Sequence, residues 1–190
     1  MQVHWTWVAL DSDTKLIPSW GVGRRDGFTA SVFIRDLAER LATRVQLTTD
    51  GHKVYLEAVE GAFGNAIDYA MLVKTYEGDS GQNKSPERRY SPAVCTGARE
   101  QTITGNPDPD HISTSHIERQ NLTMRMSIRR FTRLTNAFSK KLDNHKAAIA
   151  LHFMHYNFGR IRKTLRVTPG MEAGVADHVW SFAEIAALSA

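Results

Sequence analysis

Two acids stand where a carboxylate can act on a phosphate. Asp50 closes a short strand predicted over Val45 to Thr49 and is followed by Gly51 and His52. Sites in open α/β sheets gather beyond the carboxyl ends of strands, although Asp-Gly is also an ordinary turn dipeptide. Glu118 falls in the first turn of a helix predicted to begin at Ser115. Ser115-His-Ile-Glu118 also fits a capping box, in which the glutamate bonds back to the helix start. At about 100° per residue, Glu118, Leu122, Arg125 and Arg129 share one narrow stripe. A carboxylate at the head of an arginine row suits a divalent cation beside a phosphate backbone. The arginines attract nucleic acid, and the acid holds the cation that neutralises charge at the reacting phosphate.

The other reactive side chains carry less. Asp11 and Asp13 fall in a predicted hairpin turn, where aspartate bonds its own backbone. His145, His152 and His155 lie on a helix, and the last two are spaced to share a face. With no acid at ligand spacing, they are read as core or surface histidines rather than metal ligands. Cys95, the only cysteine, lies in a Pro- and Gly-rich stretch without a paired histidine and is not read as a nucleophile. One cysteine makes no disulfide framework. Neither a Walker loop nor a GxGxxG turn occurs.

The elements that position these residues follow from patterning. Residues 3–10 and Lys15 to Val22 read as two strands of a hairpin around Asp11-Ser-Asp-Thr. Both faces of the first are largely apolar, which predicts cover on both sides. Ile34, Leu37, Ala38 and Leu41 make the stripe of a helix over 30–42. After the strand at 45–49 come a helix over 53–63 and a strand over 69–76. Residues 77–112, with four prolines, read as a long loop insertion. Ile117, Met124, Ile128, Phe131 and Phe138 give one long helix its core stripe, and a second helix is expected over 140–157. Thr168-Pro-Gly marks a turn, and Ser181-Phe-Ala-Glu184 is a capping box for a short last helix. The order ββαβαβ followed by helices predicts an α/β layer fold with a mixed sheet.

The chain has 190 residues, 42% hydrophobic and 23% charged, which fits roughly one ordinary globular domain. No apolar run nears the ~20 residues of a membrane span. MQVHWTWVALDSD lacks the basic and apolar regions of a signal peptide. The expectation is a cytoplasmic protein with no membrane partner. The net charge of +4 conceals a division: between Arg119 and Arg166 there are twelve basic residues and one acid, Asp143. That stretch repels itself unless an anion lies nearby, and nucleic acid is the usual anion on this scale. A solvated basic face is the plainer alternative.

The block HISTSHIERQNLTMRMSIRRFTRLTNAFSKK at 111–141 resembles the C-terminal catalytic region of bacterial DDE transposases of the insertion-sequence-one family. The likeness continues in LTTDGHKVYLEAVEGAF at 47–63, ALHFMHYNFGRIRKTLRVTPGMEAGV at 150–175 and WTWVALDSDTKLIPSW at 5–20. It implies an RNase H-like mixed sheet flanked by helices over residues 1–158, with 159–190 as a tail bearing a short helix. It implies metal-dependent DNA strand cleavage and strand transfer, with Mg2+ or Mn2+ as cofactor and transposon-end and target DNA as partners. Asp50 matches the family's second acid, and Glu118 its third. Asn121, Arg125, Arg129 and Arg130 match the polar and basic row that follows. They are read as DNA-contacting, together with Arg133 and Lys140 farther along the basic stretch.

The family's first acid lies on a strand upstream of WTW, and no such segment precedes Trp5 here. The resemblance therefore implies an amino-terminally truncated region lacking the first, central strand. Such a chain is expected to be poorly stable, or to close the gap by pairing 3–10 with 45–49 or by forming a homo-oligomer. Four readings follow: a transposase region, a catalytically dead DNA-binding remnant, a different nuclease using Asp11, Asp50 and Glu118, and a purely structural protein.

Overall fold

Aromatic and β-branched residues at the amino terminus form the expected hairpin. In the computed structural model, which describes residues 3–76, 95–132, 136 and 141–188, strand β1 (Trp5–Val8) pairs antiparallel with β2 (Trp20–Gly23). The ladder extends through Ala9 N–H to Ser19 O and Asp11 N–H to Leu16 O. The second strand is shorter than the predicted 15–22, and Lys15 adopts a left-handed φ of 62° in the turn before it. Full cover of β1 is also not found. Trp7 is buried, whereas Trp5 is 47% exposed. Its cross-strand neighbour is Gly23, which offers no side chain, and the Arg25 guanidinium lies over the ring instead, 4.9 Å from its centre.

The chain divides into two compact units, Met1–Arg25 with Ser115–Ala190, and Asp26–Thr114. The hairpin belongs to the first. Its core joins Ile17 to Met124, Ile149, Phe153 and Tyr156, with Val8, Trp20, Ile128 and Phe131 packed around them. Helix α3 spans Ser115–Ser127 and α4 spans Leu142–Met154. The single long helix is therefore corrected. Ile128 is extended (φ −115°, ψ 105°), and a 3-10 turn, Arg129–Phe131, follows. The spacing was right about burial, since Met124 is buried and Ile128 and Phe131 pack on the core. It was wrong about continuity. The tighter turn brings the Phe131 ring to 5.3 Å from that of His145. The Thr132 hydroxyl donates to Arg125 O, satisfying a carbonyl freed at the helix end. Phe138 lies outside the described residues.

After α4 the chain widens into a π turn, His155–Gly159, where the sequence pattern suggested helix to 157. That turn delivers Asn157 to the core. Ile17 N–H donates to Asn157 Oδ1 (3.0 Å), and Asn157 Nδ2 donates to Ile17 O (2.9 Å). Both residues are buried. In the tail, Thr168 caps the short α5 (Pro169–Glu172), and α6 (Phe182–Ala187) carries the predicted capping box, with Ser181 and Glu184 bonded in both directions. Trp180 stacks on Phe158 with ring centres 4.6 Å apart.

In the second unit, the Asp26 carboxylate caps α1 (Gly27–Arg40) by accepting Thr29 N–H at 2.9 Å, so the helix starts before the predicted residue 30. It buries Ala30, Phe33, Ile34 and Leu37 and packs against α2 (Val54–Phe63). Strand β3 (Gln46–Asp50), α2 and β4 (Asp68–Tyr76) form a parallel βαβ unit, with Asp50 opposite Leu72. The predicted loop over 77–112 is partly corrected. Cys95–Thr104 is strand β5, antiparallel to β4, and Pro109–His111 is a 3-10 turn. β5 escaped the sequence pattern because it is an exposed edge strand with no alternating apolar face. Cys95 therefore opens a strand rather than lying in a loop. The described strands make two sheets, β1-β2 and β3-β4-β5; β1 and β3 do not pair with each other.

A polar node closes the second unit. Arg44 grips Asp68 with two N–H groups (2.9 and 2.7 Å) and donates to Asn65 O and Ile67 O. Asn106 N–H adds a bond to Asp68 Oδ1, and Gly105, at φ 71°, lets the backbone pass. Arg44 first, then Asn106 N–H, holds the Asp68 carboxyl down to about 2.

Two substitutions test these anchors. Asn157→Ala strands the buried N–H and C=O of Ile17 and is expected to cost about 2–4 kcal/mol in urea unfolding; a change under ~0.5 kcal/mol would refute the anchoring role. Gly105→Ala places a methyl 2.2 Å from Asp68 Oδ1 at a left-handed φ. It is expected to cost about 2 kcal/mol, read as an earlier urea midpoint for β4 amide exchange.

Candidate nucleic-acid interface

Helix α3 presents most of its surface to solvent. Its buried residues are Gln120 and Met124. Glu118, Asn121, Leu122 and Arg125 are exposed, so the face that the sequence assigned to nucleic acid is open. Ser115 is the first helical residue, and Glu118 lies in the first turn. The turn bearing Glu118 is tied to the hairpin by Lys15 Nζ and His116 Nδ1, 3.4 Å apart.

The break at Ile128 takes Arg129 off the helical stripe and places it with Arg130 in the 3-10 turn. Both are exposed. Arg130 Nη1 donates to Asn144 O at 2.7 Å, which links this turn to the start of α4. Arg133 and Lys140 lie outside the described residues. Arg162, which the sequence did not place among the DNA-contacting residues, has its guanidinium 4.7 Å from the centre of the buried Tyr156 ring. An arginine six residues beyond an aromatic, across an irregular turn, has no periodic signature.

None of the described lysines and arginines between Arg119 and Arg166 forms an ion pair with a carboxylate. The described ion pairs are Arg40–Asp36, Arg44–Asp68, His111–Asp108, His178–Asp177 and His178–Glu184. The described lysines and arginines of this stretch are mostly exposed, and no described carboxylate pairs with them.

Asp50 belongs to the other unit. It is exposed at the carboxyl end of β3, and its Oδ1 accepts His52 N–H at 3.1 Å, so it also serves the turn into α2. Gly51 permits a close approach there, since a Cβ would sit 3.1 Å from Val73. Beneath, Thr49 Oγ1 and the Tyr69 hydroxyl lie 2.8 Å apart. Burial raises the Tyr69 pKa, and the Asp50 charge adds to the rise.

The carboxylate set was tested against the metal centre that the family resemblance implies. Asp11 is engaged in its turn: Oδ1 accepts Asp13 N–H and Oδ2 accepts the Thr14 hydroxyl. Strand β1 reads WTWV and carries no acid. Among the described residues, no three His, Cys, Asp or Glu side chains gather as a ligand group. Asp50 and Glu118 belong to different units. No described helix is long and apolar enough to cross a membrane. Compared with family models, curated proteins and solved structures, the chain finds no match.

Proposed function

We propose that the chain is a DNA-binding protein of the DDE transposase kind, built on an RNase H-like region and engaging DNA through α3 and the turn after it. The observation that carries this reading is the basic stretch from Arg119 to Arg166, whose described lysines and arginines are mostly exposed and lack carboxylate partners among the described residues. Surface arginines in such a row gain little from one another and much from a polyanion. The α/β order also supports it. An antiparallel pair is followed by a helix, a parallel βαβ unit and a helix bearing Glu118.

The second reading is metal-dependent DNA cleavage. It rests on Asp50 and Glu118, both exposed, one at a strand end and one in a helix first turn, where the resemblance expects acids. The two readings separate in one set of assays. In duplex binding, Asn121→Ala with Arg125→Ala is expected to weaken affinity about tenfold at low salt, whereas Asp50→Asn leaves it unchanged and Glu118→Gln does not weaken it. Unchanged affinity in the double variant would remove α3 from the interface. Nicking of supercoiled DNA with Mg2+, lost in both Asp50→Asn and Glu118→Gln, would promote the second reading over the first.

A further inference from the structure

The turn after α3, the middle of α4 and the start of α6 surround an open groove of about 600 Å3 within the first unit. Arg129, Arg130, Leu151, His152, His155 and Phe182 are among its lining residues. The Phe182 side chain is 69% exposed, yet it is held in place: it stacks on His155 with ring centres 5.1 Å apart and planes 6° from parallel. The capping box beneath it is braced by His178, whose Nε2 lies 2.8 Å from Glu184 Oε1.

His152 Nε2 is shut from solvent and has no hydrogen-bond partner among the described residues. Burial, then the charges of His155 and Arg160, push its pKa down to about 4, so the ring is neutral at pH 7. Arg130 uses Nη1 on Asn144 O, which fixes the guanidinium and leaves its other N–H groups for an anion.

We propose that this groove holds one unpaired nucleotide of single-stranded DNA. The base stacks on Phe182, and the phosphate meets Arg129 and Arg130. A duplex hides both faces of its bases, so the stacking ring selects for an unpaired strand. The volume falls in the ordinary range for small-ligand sites. This inference rests on the DNA-binding reading and adds a strand preference and a stacking residue to it.

The test uses the whole chain, fluorescence anisotropy, a labelled oligothymidylate of about twelve residues and a duplex of the same length. Phe182→Ala is expected to weaken single-strand binding about tenfold and to leave duplex binding within about twofold. Phe182→Tyr, which keeps the ring, is expected to restore it. The exposed ring makes misfolding of either variant easy to check by circular dichroism. Single-strand affinity unchanged in Phe182→Ala, or lost equally with duplex affinity, overturns the groove assignment while the DNA-binding reading stands. Failure of the unsubstituted chain to bind either DNA overturns both.

Discussion

A buried carboxamide joins the ends of the first unit. Asn157 sits 140 positions from Ile17 in sequence and gives its backbone both hydrogen bonds that a neighbouring strand would give. The alternative is a buried N–H and C=O with nothing to bond, which the hydrophobic cluster around Ile17 cannot offset locally. The π turn exists where it must to aim that side chain inward. Once Asn157 is seated, Ile149, Phe153 and Tyr156 lie against the hairpin, and the outer face of α4 is left with His152 and Leu151. The basic stretch is thus presented on a scaffold fixed from within.

The second unit is held differently. Its central strand, β4, buries Tyr69, Ala70, Met71 and Leu72 in succession, as a strand covered on both faces must. The Arg44–Asp68 node then closes the end of the sheet that lies away from Asp50. Asp50 is left at the opposite, carboxyl end of β3, exposed and half engaged in a turn. Arg44 is thus satisfied inside its unit, whereas no described carboxylate pairs with the described lysines and arginines of the Arg119–Arg166 stretch.

Elements with a buried face were legible in the sequence. The hairpin, α1, the βαβ unit and the Ser181–Glu184 cap follow from alternation, periodicity and capping chemistry. β5 was not legible, because an edge strand made of Thr, Gly, Arg, Glu and Gln has no apolar period to read. The end of α3 was not legible either. Periodicity reports which residues face the core, and Ile128 and Phe131 do face it, but a tight turn satisfies the same spacing as a helix. Of the candidate site, the exposure of Glu118, Asn121 and Arg125 followed from the pattern. Phe182 did not, since its neighbour His155 is distant in sequence and the stack between them is a tertiary contact.

The measurement that bears most directly on the nucleic-acid reading is the salt dependence of duplex DNA binding by the whole chain. Ten of the twelve basic residues from Arg119 to Arg166 are described, and none of them is paired with a carboxylate. If about half of them meet phosphates, the logarithm of the binding constant falls linearly with the logarithm of salt concentration, with a slope of about −4 or steeper. A slope near zero, or no binding at low salt, would contradict the reading and leave the basic stretch a solvated face.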